Sequence, residues 1–265
     1  MKNAHIGCRP FAAAMATVAM VAAACSSSEA GAPDDASSDS PGDSGYFDAG
    51  EVDAKKNEVD GGFLGPDGSI IAADRFVTAV VSFTPGDCAG FGASKMPEVV
   101  EGPPVGGGAL AGSLDVVSLG NGGEIVVSFE PNAIVDGPGI DFLVFENPFW
   151  IGGDPNNPAA ELGEVSVSED GITWKTFPCA AASTPPYGQC AGWHPVFSAP
   201  GNGISPIDRT VAGGDPFDLA DVGLSTARYV RIRDMTSEPC PASPPKPNTN
   251  GFDLDAVAIV NAADP

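Results

Sequence analysis

The sequence predicts an all-β protein, a jelly-roll β-sandwich with long loops. Gly and Pro number 34 and 26 of the 265 residues, which disfavours long helices. Apolar residues recur in short runs with a period of two, and turn signals bound these runs. Hydrophobic residues still make up 43% of the chain, so enough apolar side chains are present for a packed core.

The strands follow in order. Residues 75–83 end at Pro85-Gly86, and residues 140–145 are nearly all apolar, which predicts a buried central strand. The turn Gly120-Asn121-Gly122-Gly123 predicts a hairpin of the two segments beside it. Glu169-Asp170-Gly171 predicts another hairpin, because Gly tolerates positive φ. The remaining predicted strands are 113–119, 124–129, 164–168, 172–177, 228–234 and 251–261, with one short helical turn at 217–222.

Residues 1–24 are predicted to be a signal peptide. Lys2 and Arg9 precede an apolar run, residues 11–24, that is interrupted only by Thr17 and is too short to span a bilayer. The following Cys25 and the small residues before it resemble the lipobox of bacterial lipoproteins, although Ala22 stands where that motif prefers Leu. The resemblance implies that Cys25 is lipidated, with ordinary signal cleavage as the alternative.

Residues 25–62 are predicted to be a disordered acidic tether rich in Ser, Gly and Asp. Ten acidic residues oppose two basic ones there, and such a segment cannot bury enough apolar surface to fold. The β-sandwich is then predicted to cover residues 63–265. We expect a protein held at the cell envelope, on the outer membrane or cell surface, that contacts the membrane by its lipid anchor only.

Charge and cysteine content restrict the function further. The net charge of -23 excludes nucleic acid as a partner, because phosphate binding needs clustered Lys and Arg. Beyond the leader, Cys88, Cys179, Cys190 and Cys240 are expected to form disulfides in an oxidising compartment. Four cysteines allow three pairings; Cys179 and Cys190 flank one loop, which would leave Cys88 with Cys240. A zinc site is the alternative, but no C-x-x-C motif is present.

Two motifs carry a family resemblance. One hairpin and one strand resemble those of discoidin-like, galactose-binding-like jelly rolls. The hairpin is Val165-Ser166-Val167-Ser168-Glu169-Asp170-Gly171-Ile172-Thr173-Trp174, and the strand is Ala227-Arg228-Tyr229-Val230-Arg231-Ile232. Over residues 83–261 the chain also resembles a family of bacterial cell-surface proteins, many of them lipoproteins. The resemblance implies a carbohydrate- or ligand-binding module, often with a structural calcium ion, and no particular activity.

Acidic and amide side chains at the strand ends are the candidate metal ligands. Asp253 and Asp255 would share one face of a strand, and a close pair of buried carboxylates needs a cation. Oxygen ligands without Cys or His suit calcium. Pairing with Arg228, Arg231 or Arg233, or simple solvation of Asp253, are the alternatives. The candidate ligands are Asp136, Asp141, Glu146, Asn147, Asp253 and Asp255.

Loop aromatics are the candidate ligand-binding residues. Trp150, Trp193, His194 and Tyr187 lie in predicted loops, where rings can stack on sugars, although Trp is also common in protein cores. No catalytic motif stands out, because no G-x-S-x-G elbow is present. We therefore expect a cell-surface module that binds an extracellular glycan, matrix component or surface protein. A glycan hydrolase with paired carboxylates and a purely structural or adhesive envelope protein are the alternatives.

Overall fold

The computed structural model describes residues 57–181, 184–236, 239–244 and 247–263. The predicted signal peptide, Cys25 and the predicted tether up to residue 56 lie outside these residues. Within them, the regular elements are strands and short 3-10 helices, which confirms the all-β fold. No helix in these ranges is long and apolar enough to cross a membrane. The first strand, Glu58–Val59, falls at the end of the range predicted as tether.

Each predicted strand overlaps at least one observed strand, and nine further short strands in the described residues lie in segments that were not predicted as strands. The 3-10 helices are Ala73–Arg75, Ala93–Lys95, Ile151–Gly153 and Leu219–Val222, the last at the predicted helical turn. The strands are β1 (Glu58–Val59), β2 (Gly62–Leu64), β3 (Ile70–Ala72), β4 (Ala79–Thr84), β5 (Val117–Ser118), β6 (Glu124–Ser128), β7 (Ile134–Val135), β8 (Phe142–Phe145), β9 (Phe149–Trp150), β10 (Pro158–Ala159), β11 (Gly163–Ser168), β12 (Lys175–Thr176), β13 (Cys190–Ala191), β14 (Asp215–Phe217), β15 (Thr226–Ala227), β16 (Tyr229–Asp234), β17 (Asp253–Leu254) and β18 (Ala256–Ile259).

Two antiparallel sheets form the body of the domain. The larger has the order β12-β11-β16-β6-β4, with β13 also paired to β11, and the smaller has the order β14-β8-β18. Shorter antiparallel ladders join β1-β2-β3, β9-β10, β7-β15 and β5-β17. Every strand pair is antiparallel, as expected for a β-sandwich, whereas the jelly-roll connectivity stays a prediction.

The main core lies between the two sheets. Val127 and Val230 of the larger sheet belong to one buried cluster with Phe142, Val144 and Val257 of the smaller sheet. Because strand residues alternate between faces, the intervening residues of β8 point the other way. They pack in a second buried cluster with Phe76, Val196 and other side chains. Strand β8 is therefore buried on both faces, as its apolar sequence predicts.

One predicted hairpin is confirmed and the other is wrong. Strands β11 and β12 pair antiparallel, and the Asp170 carboxylate accepts hydrogen bonds from the amides of Ile172 (2.8 Å) and Thr173 (2.7 Å) in their connecting turn. The Gly120–Gly123 turn, in contrast, does not join paired strands. Strand β5 pairs with β17, whereas β6 pairs with β4 and β16. The turn reverses the chain while carrying it from one ladder to another.

Two disulfides fasten the long loops, which confirms the disulfide prediction. Cys179 is bonded to Cys190, and Cys88 is bonded to Cys240 over a sequence separation of 152 residues. The first bridge fixes the loop that enters β13. The second holds the segment after β16 against the loop after β4.

Candidate functional site

Three acidic side chains from different parts of the chain meet at one edge of the sandwich. Glu146 directly follows β8, Asp253 begins β17, and Glu161 lies in the connection from β10 to β11. Carboxylate oxygens of the three residues lie within 4.8 Å of one another. Because like charges at this separation repel each other, the group favours either protonation or a bound cation. Buried acidic groups of this kind can hold a metal ion.

Glu146 has the most unusual surroundings of the three. Its side chain is 1% exposed, and its Oε1 accepts a hydrogen bond of 3.2 Å from the Asp253 amide. Its other oxygen, Oε2, is buried and accepts no hydrogen bond from any described residue. Burial, followed by the negative charges of Asp253 and Glu161, raises the pKa of Glu146 well above its usual value. An orphaned carboxylate oxygen of this kind needs a proton or a cation.

Asp253 is better supplied with hydrogen bonds but is also buried. Its carboxylate accepts hydrogen bonds from the Ser118 hydroxyl and from the Asn147 amide group. Burial nevertheless raises the pKa of Asp253 from 3.8 to about 6. Since the residue is only 7% exposed, simple solvation does not describe it.

A pocket of about 300 Å³ opens beside the cluster. Glu146, Asn147 and Glu161 line it together with Thr236, Phe149 and two alanines. The Thr236 hydroxyl oxygen is buried and has no hydrogen-bond partner in the described part of the chain. Two carboxylates of the cluster, Glu146 and Glu161, therefore line the pocket, and Glu146 and Thr236 each bring a buried oxygen without a partner among the described residues. This all-oxygen set fits a hard divalent cation and lacks the nitrogen and sulfur ligands typical of zinc.

The six predicted metal ligands do not form one group. Glu146 and Asn147 line this pocket, and Asp253 is hydrogen-bonded to both. Asp136 and Asp141 instead form a separate acidic group with Asp218. The remaining residue, Asp255, accepts a hydrogen bond of 2.8 Å from the Val105 amide. Glu161 and Thr236, which complete the pocket, were not predicted, because both lie outside the strands and no motif marks them.

Asp141 is a structural residue. It is fully buried and accepts hydrogen bonds from the amides of Gly137 (2.9 Å) and Leu219 (2.8 Å). The Asn261 side-chain amide donates a third, of 2.7 Å. Three donors satisfy the carboxylate without a metal, so Asp141 joins the loop before β8 to the segments around it.

Arg231, one of the predicted pairing partners of the acids, is engaged elsewhere. Its guanidinium group lies 4.6 Å from the centre of the Trp174 ring, and its Nε is 3.9 Å from the Glu124 carboxylate. This arginine therefore stabilises the outer face of the larger sheet.

Three of the four predicted ligand-binding residues form a row. The ring centres of Tyr187 and Trp193 are 5.7 Å apart, and those of Trp193 and His194 are 3.7 Å apart. All three side chains are partly exposed. Trp150 packs against Phe197 instead, with the two ring centres 6.3 Å apart. The row, Tyr187-Trp193-His194, is called the aromatic row below.

A buried carboxylate fixes the aromatic row in place. The Asp215 side chain is 2% exposed, and its Oδ1 lies 2.7 Å from Nδ1 of His194. The amides of Gly192 (2.6 Å) and Trp193 (3.3 Å) donate to its Oδ2. Burial raises the pKa of Asp215, and the hydrogen bond from His194 opposes that effect. With Nδ1 donating to Asp215, the imidazole presents Nε2 as its second polar atom.

The aromatic row and the acidic pocket are neighbours. Gly192 has a φ of +92°, and the Glu161 carbonyl oxygen occupies the place of the Cβ that another residue would have there. Only glycine fits this close approach. The residue directly before Trp193 therefore packs against the residue that carries one of the pocket carboxylates.

Comparisons with known proteins add little. No protein-family model and no curated protein matches the chain. A solved structure described as a glycoside hydrolase is similar over 56% of this chain, with 14% sequence identity and a TM-score of 0.26. The similar part covers 22% of that protein, so the chain spans about a fifth of its length. A likeness at this level carries no argument about function.

Proposed function

We propose that the protein is a lipid-anchored module of the outer cell surface that binds extracellular carbohydrate. The aromatic row is the observation that carries this proposal. Tyr187 and Trp193 offer partly exposed rings, and His194 offers a polar atom directly beside them. Sugars present both apolar ring faces and hydroxyl groups, and rigid aromatic side chains with an adjacent polar group suit both.

The proposal includes one calcium ion at the acidic pocket. Calcium binds six to eight oxygen ligands, including carboxylates and hydroxyls, and the orphaned oxygens of Glu146 and Thr236 are of this type. The ion would neutralise the repulsion among Glu146, Glu161 and Asp253. Anchoring through Cys25, and the acidic tether after it, would place the domain away from the membrane.

A glycan array probed with the full-length protein in the presence of calcium tests the carbohydrate proposal. We expect binding to at least one glycan class, and Trp193→Ala should weaken it about 10-fold or more, as is common for a central aromatic contact. Trp174→Ala is the matched control, because Trp174 lies outside the aromatic row and packs against the Arg231 guanidinium group. Equal binding by the two variants would reject the aromatic row as the site.

A glycan hydrolase is the second candidate, and one observation favours it. The oxygens of Glu146 and Glu161 approach within 4.8 Å, and the raised pKa of Glu146 suits a general acid. The two functions compete at this pocket, because a bound cation would keep Glu146 ionised. Release of reducing sugar from a bound glycan, lost in Glu146→Gln and inhibited by calcium, is expected for the hydrolase only.

A further inference from the structure

The side chains at the acidic pocket supply only part of a calcium coordination shell. Glu146, Glu161 and Asp253 each offer one carboxylate oxygen to the cluster, and the Thr236 hydroxyl lines the same pocket. Calcium takes six to eight oxygens, so these four monodentate donors leave about two to four positions. The open pocket of about 300 Å³ lies on the side of Glu146, Glu161 and Thr236, and the free positions would face it.

The volume and lining of the pocket suit a small polar ring. Phe149 and Ala159, which are paired across the β9–β10 ladder, form part of its wall. The volume lies at the lower end of the range for small-molecule sites, which suits a single sugar unit. The lining thus combines apolar side chains with the oxygen donors of Glu146, Glu161 and Thr236.

We propose that the cation in the acidic pocket binds the glycan directly. Two neighbouring oxygens of one sugar unit take coordination positions that are otherwise held by water, and the ring of that unit lies against Phe149. This inference rests on the proposed carbohydrate-binding function and assigns a second role to the ion besides neutralising the cluster.

The neighbouring aromatic row extends the site. Glu161 packs against Gly192, and Trp193 and His194 follow directly in the chain. A glycan with one unit on the cation can therefore place a following unit towards Trp193.

The bound cation also affects which sugars can bind. The net charge of -23 would repel an anionic sugar, and the cation would offset this repulsion for a uronate.

Europium luminescence on the full-length protein tests the open coordination shell without knowledge of the natural ligand. The ion substitutes for calcium, and its decay rates in H2O and D2O count the water molecules bound to it. Europium fills about eight or nine oxygen positions, at or just above the upper limit for calcium, so four protein donors leave about four or five positions for water. An ion with no bound water would overturn the proposal.

Adding sugars to the europium-loaded protein tests direct coordination. Mannose and galactose offer neighbouring hydroxyl groups, and galacturonate adds a carboxylate, so the three probes distinguish the two kinds of oxygen donor. At least one probe should displace one or two waters. If none does, direct coordination is wrong, even where the array shows binding through Trp193. An array without any signal would instead count against the carbohydrate function itself.

Variants locate the ion. Glu146→Gln and Thr236→Val should each weaken europium and calcium binding about 10-fold or more, since even the loss of a group that only orients a metal ligand costs about 10- to 100-fold. Asp136→Asn alters an exposed member of the other acidic group and should leave binding unchanged. Glu146→Gln is expected to fold, because its amide resembles the protonated form that burial favours. Equal affinity in all three variants would place the ion elsewhere.

Discussion

Without calcium, the domain should lose stability as the pH rises from about 5 to about 7.5, because buried carboxyls must then ionise. The pKa of Asp253 is raised from 3.8 to about 6 by burial, and the pKa of Glu146 is raised in the same direction. A carboxyl whose pKa is higher in the folded state binds protons more tightly there. Its contribution to stability is therefore present at low pH and is lost as the pH rises through about 6.

The shift at Asp253 sets the size of the effect. A rise of the pKa from 3.8 to about 6 corresponds to about 3 kcal/mol between the protonated and ionised forms. Part of it is already lost between pH 3.8 and pH 5, so the interval from pH 5 to pH 7.5 covers about 1.4 kcal/mol. For a domain of this size, that is a fall in Tm of about 3 to 6 °C. Carboxyls with lowered pKa values, such as Asp170 at about 2, complete their ionisation below this pH range and contribute nothing within it.

Calorimetric or fluorescence melting at the two pH values, in the presence of a chelator, measures the fall. Calcium should restore the lost stability at the higher pH, because it binds the ionised carboxylates and only the folded state brings them together. A calcium concentration about 100 times the Kd should add about 2.7 kcal/mol.

Asp253→Asn separates this effect from general charge repulsion. The variant keeps the rest of the acidic surface but removes the Asp253 ionisation, so its Tm should fall less between the two pH values. Asp136→Asn, at an exposed position, should behave as the natural protein does. A Tm that stays constant with pH in the presence of chelator would show that this cluster does not cause the pH dependence. An equal fall in Tm for the natural protein and both variants would show the same.

Three further predictions concern the fold. Asp141→Ala leaves buried amides without an acceptor. It should lower the free energy of unfolding, measured in urea, by about 3 kcal/mol or more. A decrease below about 0.5 kcal/mol, typical of surface sites, would contradict the anchoring role of Asp141. Gly92 and Gly122 have nearly the same φ, +72° and +71°, but a Cβ at Gly92 would meet a backbone carbonyl whereas one at Gly122 would meet open space. Gly92→Ala should therefore lower the Tm far more than Gly122→Ala. Similar Tm values would show that φ alone sets the cost of the substitution. Replacing Cys88 and Cys240 by Ala opens a loop of 152 residues and should cost up to about 5 kcal/mol in denaturant unfolding, so an unchanged midpoint would contradict the chain-entropy argument.

The sequence predicts strand positions well because the signals for them are local. Alternation, apolar runs and Asp-Gly turns depend only on neighbouring residues, and they place β8, β11 and β16 within a few positions of their observed bounds. Strand partners depend on distant segments instead. The Gly120–Gly123 turn looks like a hairpin turn, but a β-sandwich also uses such turns to pass from one ladder to another. Local sequence does not distinguish these two uses.

The acidic pocket could be predicted only in part for the same reason. Glu146 and Asp253 were recognisable because each adjoins an apolar strand that fixes its position. Glu161 and Thr236 lie in irregular segments, and nothing near them in sequence reports that they approach β8 and β17. Their role depends on the approach of Glu161 to Gly192 and on the path of the chain after β16.

The separation of Asp253 from Asp255 explains why one predicted cluster became several groups. A continuous strand would place both carboxylates on one face. The chain instead changes partners between them, because β17 pairs with β5 whereas β18 pairs with β8. Asp255 occupies the junction and bonds to the Val105 amide, while Asp253 remains beside Ser118 and Glu146. The change of partners thus leaves Asp253 grouped with Glu146 and Glu161, where burial and like charge favour either protonation or a bound cation.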